Sequence, residues 1–157
     1  MEPSPQALRC RELYRQLCPL KSKVSECLNH IMRSLYRDYF DEFLKFISIK
    51  AVYGNSSGTD LSPGYIVDVI WHAVILKPEV YNNIQNICYK MCKKRVGHHP
   101  EREKDDPKMI ERRYLLSQYT MTKVFGPKWI IGTFDDYCKK HSARHLDELH
   151  MQPRLGC

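Results

Sequence analysis

Apolar residues recur along this chain at intervals of three and four, with no convincing stretch of strict polar–apolar alternation. That period places them on one face of an α-helix rather than along a strand. Leu8, Leu13, Tyr14 and Leu17 predict a helix over 7–17. Pro19 ends it, because its ring clashes with the preceding turn and it has no N–H to donate. Val24, Cys27, Leu28, Ile31 and Leu35 predict a second helix over 22–36. Phe40, Phe43, Leu44 and Ile47 form the stripe of a third over 39–52, and Gly54-Asn55-Ser56-Ser57-Gly58 follows as a loop.

Ser62-Pro63 has the form of a helix start, a capping hydroxyl followed by proline at the first helical position. The helix it opens, 63–76, carries a broad apolar face made of Ile66, Val67, Ile70, Trp71, Val74 and Ile75. Pro78 opens the next, over 78–95, with Val80, Tyr81, Ile84, Ile87, Cys88 and Met91 inward and Gly97 as its stop. Residues 98–106 form a polar loop. Pro107 starts a helix over 107–125, which Gly126-Pro127 terminates. Trp129-Ile130-Ile131 is then an apolar connector, and Thr133 or Asp135 caps a last helix running to residue 149. The pattern predicts an all-α fold, a compact bundle of about six or seven helices in a single domain.

Composition narrows the class. The chain has 157 residues, 43% hydrophobic and 27% charged. Such a chain can bury a core without disulfide staples. The balance excludes a largely disordered chain, a collagen-like repeat and a coiled coil along the whole length. Its longest apolar runs, such as Ala73–Leu76, fall far short of the roughly 20 residues that cross a bilayer, so no membrane partner is expected. Met1-Glu2-Pro3-Ser4-Pro5 lacks the basic and then apolar regions of a secretory signal, which predicts a cytoplasmic or nuclear location. The seven cysteines are an odd number, and reduced thiols are the expectation. Cys88 and Cys92 lie one helical turn apart. That spacing is compatible with a metal pair, although CxxC is the stronger zinc signature, and partly buried thiols are the plainer reading.

Charge adds a candidate surface. Lysine and arginine outnumber acids 25 to 18, a formal net charge of +7. Lys90, Lys93, Lys94 and Arg95 cluster, followed by Arg102, Lys104, Arg112 and Arg113. One positive face built from them would attract an acidic protein or a nucleic acid, with marked salt dependence. Glu101, Glu103, Asp105, Asp106 and Glu111 are interspersed, and no nucleic-acid recognition signature is present. A mixed, solvated surface is the competing reading.

The candidate chemistry centres on Asp68 and His72, four apart on one helix and therefore neighbours. The carboxylate would stabilise the charged imidazole and orient its ring. The loop beginning at Gly97 offers His98 and His99. If it folds back, two or three imidazoles and a carboxylate converge, a ligand set suited to zinc or another divalent metal. An open coordination position would then permit hydrolysis. Against this stands a structural role, in which Asp68–His72 ties the helix to its neighbour and Trp71 anchors the core. A second pair, His141 and His145, also shares a helix face. Ser142 stands where a zinc protease would place glutamate, so the HExxH pattern is absent, and His150 points elsewhere on a continuous helix. A phosphate-cradling loop, a GxSxG elbow and an EF-hand loop are absent too.

The segment Leu61-Ser62-Pro63-Gly64-Tyr65-Ile66-Val67-Asp68-Val69-Ile70-Trp71-His72, with Tyr81, Cys88 and Gly97-His98-His99-Pro100, resembles the domain of the plant glycine-rich domain proteins and related small bacterial and fungal proteins of unknown function. The pattern shared is a valine–aspartate, two residues, tryptophan–histidine, then tyrosine, cysteine, glycine and a histidine pair before proline. Asp41-Glu42-Phe43-Leu44 and Tyr119, Phe125-Gly126 and Trp129 match its flanks more loosely. Where the family usually places a second histidine two residues after the first, this chain has Val74. The resemblance implies a family-like helical core over 38–130, N-terminal helices over 1–37 and a C-terminal helix and tail over 131–157.

Two functions are consistent with these residues. One is a small intracellular helical interaction module acting through the basic surface. The other is a metal-dependent, hydrolase-like enzyme using Asp68, His72, His98 and His99. A scaffold subunit, suggested by the ten tyrosines, is not separable from the first by sequence. Neither a particular substrate nor an oligomeric state follows from these residues.

Overall fold

The computed structural model describes residues 2–54, 60–98 and 106–126. Among these residues there are seven α-helices and no strand: α1 (Pro5–Leu17), α2 (Lys21–Glu26), α3 (His30–Leu35), α4 (Phe40–Tyr53), α5 (Tyr65–Ile75), α6 (Pro78–Cys92) and α7 (Pro107–Phe125). The fold is all-α, as the periodicity predicts. The connector at 129–131, the last helix and the His141/His145 pair lie outside the described residues. No helix among those described is long and apolar enough to cross a membrane.

The core is organised around α4. Phe40, Phe43, Leu44, Phe46, Ile47, Ile49 and Ala51 are all buried, so this helix is apolar nearly all round. A helix of that kind must be surrounded by others, and α1, α2, α5, α6 and α7 all pack against it. Helix α1 starts at a true cap, with the Ser4 hydroxyl accepting from the Ala7 N–H at 3.1 Å and Pro5 in the first turn. It crosses α4 and also meets α6 and α7. The Tyr14 hydroxyl donates to Asp41 on α4, and Arg11 Nε donates to Val124 O near the end of α7 at 2.7 Å. Helices α1–α3 thus share one core with the rest.

Three boundaries differ from the periodic pattern, each at a polar contact. The helix expected over 22–36 is two short helices. Asn29 takes an extended backbone, φ −67° and ψ 167°, and its side chain accepts from the Met32 N–H at 2.9 Å. This cap restarts the helix and re-phases it. Leu28 and Met32 go inward, while Ile31 and Leu35 are 76% and 67% exposed.

The second difference concerns Ser62, which does not cap α5. Leu61, Ser62 and Pro63 are buried, and a buried N–H must find an acceptor. That of Ser62 donates to Ser117 Oγ on α7 at 3.0 Å. The segment is therefore laid along α7, and α5 begins at Tyr65 with Gly64 as its cap residue. Finally, α6 ends at Cys92 rather than 95. Lys93, in the left-handed conformation at φ 60°, turns the chain and sends its N–H to Tyr89 O.

Candidate metal centre

Helix α5 carries two of the site residues. Asp68 sits in its first turn, where a carboxylate complements the positive end of the helix, and His72 sits in its last. Their i, i+4 spacing puts both at the rim of the apolar face. Between them Trp71 points inward, 2% exposed, and meets Phe46 of α4 edge-on at 5.8 Å between ring centroids. Lys50 lies beneath this pair. It is buried, donates from Nζ to Leu61 O at 2.7 Å and stands 5.4 Å from the Trp71 ring centroid. The amphipathic pattern of α5 thus fixes the rotation of the helix, and that rotation presents Asp68 and His72 to whatever packs on its rim.

His98 packs there. It comes from the segment after α6, which folds back at Lys93. Lys94 Nζ donates to Gly54 O at the end of α4, and Val96 is buried and bonded to Gln85. The His98 ring then lies edge-on to Trp71 at 4.6 Å and to His72 at 4.9 Å.

Ligand atoms converge as a result. His72 Nε2 is 3.2 Å from His98 Nε2. Asp68 Oδ2 is 3.5 Å from His72 Nε2, and Asp68 Oδ1 is 3.6 Å from His98 Nε2. With metal–ligand bonds of about 2.0–2.1 Å, the edge of a tetrahedron is roughly 3.3–3.4 Å. The His72–His98 separation is close to such an edge, the two Asp68 oxygens each face one imidazole, and one ligand atom from each residue lies within 4.8 Å of the others. The three side chains are only 13–21% exposed, so their charge is partly shielded from water. Two imidazoles and a carboxylate form the donor set of catalytic zinc sites and of other open divalent-metal sites.

Of the sequence-predicted ligands, Asp68, His72 and His98 are brought together, while His99 lies outside the described residues. The thiol pair takes no part. Cys88 is buried, and desolvation pushes its thiol up to about 12, which keeps it protonated and a poor ligand. All five described cysteines, Cys10, Cys18, Cys27, Cys88 and Cys92, are free thiols.

The basic residues are more scattered in role. Lys90, Lys93, Arg95 and Arg112 are exposed, and Arg113 is partly buried. Lys94 is committed to the Gly54 carbonyl, and Arg102 lies outside the described residues. Gln85 is the site-supporting residue that periodicity passed over. Its signal was a polar side chain among Tyr81, Ile84 and Cys88 on the inward stripe of α6. Compared with protein-family models, curated proteins and solved structures, the chain matches none.

Proposed function

We propose that this protein binds a divalent metal, zinc foremost, through Asp68, His72 and His98, and that the open side of the centre supports hydrolytic chemistry. The observation that carries the reading is the approach of His72 Nε2 to His98 Nε2 at 3.2 Å, with the Asp68 carboxylate facing His72 through Oδ2 at 3.5 Å and His98 through Oδ1 at 3.6 Å. Three protein ligands leave a coordination position for water, and a bound divalent metal lowers the pKa of that water towards neutrality. The resemblance to the glycine-rich domain proteins supports treating the residues as one unit. Its most specific segments are Val67–His72 and His98–Pro100, and His98, the described residue of the second, meets His72 of the first. Elemental analysis of untagged protein beside His72→Ala tests the reading. We expect about one metal per chain, lost in the variant. Metal-free wild type that takes up neither zinc nor cobalt on titration overturns it.

A second reading is carried by the exposed Lys90, Lys93 and Arg95 at the C-terminal end of α6. Under it, the chain docks an acidic protein or nucleic acid there. Binding would weaken with salt and with charge reversal at Lys93 and Arg95, and would survive chelation.

A further inference from the structure

His98 belongs to no helix, yet its ring nitrogen sits within bonding reach of His72. Something must hold residues 95–98 in place. Gln85, 2% exposed on α6, pairs with one residue of that segment in both directions. Its Nε2 donates to Val96 O at 2.9 Å, and its Oε1 accepts from the Val96 N–H at 2.9 Å. A single hydrogen bond leaves a backbone free to rotate about it, whereas two opposed bonds from one planar amide fix both position and orientation. Val96 is 4% exposed, so its peptide groups have little water to turn to if the amide is removed. One residue separates it from His98.

We infer that Gln85 is the positioning residue of the metal centre. Its carboxamide sets the register of the 95–98 segment so that His98 Nε2 completes the site with Asp68 and His72. The inference rests on the metal reading above and adds to it the device that preorganises the third ligand. Residues that orient a ligand from behind typically change metal affinity 10–100-fold when removed.

The test is zinc affinity, measured by competition with a chromogenic chelator, and the visible spectrum of the cobalt-loaded protein. Wild type is compared with Gln85→Leu and with Arg11→Ala. The Arg11 variant cuts the bond to Val124 O between α1 and α7 and controls for general loss of stability. Gln85→Leu should bind zinc 10–100-fold more weakly and lose intensity in the tetrahedral cobalt bands. Arg11→Ala should melt earlier yet keep its affinity within roughly twofold, because distant sites act independently. Wild-type affinity and spectrum in folded Gln85→Leu would overturn the inference while leaving the metal reading intact. Wild type that binds neither metal overturns both. If Gln85→Leu does not fold, amide exchange at Val96 in wild type decides. Slowing of about tenfold or more on zinc binding supports the link, and unchanged exchange overturns it.

Discussion

His72 Nε2 and His98 Nε2 lie 3.2 Å apart although 26 residues separate them in the chain. At that distance the two nitrogens can share one proton, with one ring donating and the other accepting, or they can share a cation. They cannot both carry a proton without repulsion. Asp68, within 3.6 Å of each, supplies the negative charge that either arrangement favours.

Protons and a metal compete for the same imidazole nitrogens. Metal affinity should therefore fall as pH is lowered, since every proton taken up by a ligand must be displaced by the metal. Zinc dissociation constants measured at several pH values check this, and a flat profile would remove the histidines from the ligand set.

Glu42 gives a separate pH dependence, one of folding stability. Burial pushes its carboxyl from 4.5 up to about 7, with Lys45 opposing in part. Among the described residues its Oε2 has no hydrogen-bond partner. The folded state therefore binds the proton more tightly than the unfolded chain does. The contribution of this group is full below about pH 4.5 and is lost as pH rises through about 7. The total is of the order of 3 kcal/mol. Glu42→Gln is neutral throughout, so its melting temperature should gain on wild type by several degrees between pH 5 and pH 8. Parallel melting curves across that range would show that the carboxylate is hydrated in the folded protein.

The break between α2 and α3 rests on Asn29. Asn29→Ala should cost about 1 kcal/mol, the usual worth of a helix cap, read from the urea midpoint. Far-UV helicity should not rise, because a continuous helix would rotate the exposed Ile31 and Leu35 onto the stripe of Val24 and Leu28 and leave the buried Met32 at its edge. An increase in helicity would show that the cap alone holds the two segments apart.

Much of the fold was legible because helix signals are local. The stripe Phe40, Phe43, Leu44 and Ile47 located α4. Pro78 and Pro107 marked the first turns of α6 and α7, and Gly126 ended α7. The misplaced boundaries share one cause. Asn29 caps through its side-chain oxygen, Lys93 turns the chain through its own N–H, and Ser62 bonds across to α7; all three are polar contacts, which the periodicity of apolar residues does not register. Ser62-Pro63 has the composition of a cap, but α5 begins two residues later at Tyr65, and the Ser62 N–H donates to Ser117, 55 residues away.

The sequence by itself determined that Asp68 and His72 share a helix face and that Trp71 points to the core, since 3.6 residues per turn admits little else. It also supplied His98 in a polar segment with freedom to fold back. That His98 meets the other two, rather than pointing to solvent, was decided by tertiary structure. Lys93 turns the chain, Lys94 is drawn to the Gly54 carbonyl, and Gln85 pairs with Val96. Each of these contacts satisfies a polar group within the fold. Helix content follows from neighbours in sequence, whereas the path of an irregular segment follows from which buried donors and acceptors must be paired, and that is settled only once the helices have packed.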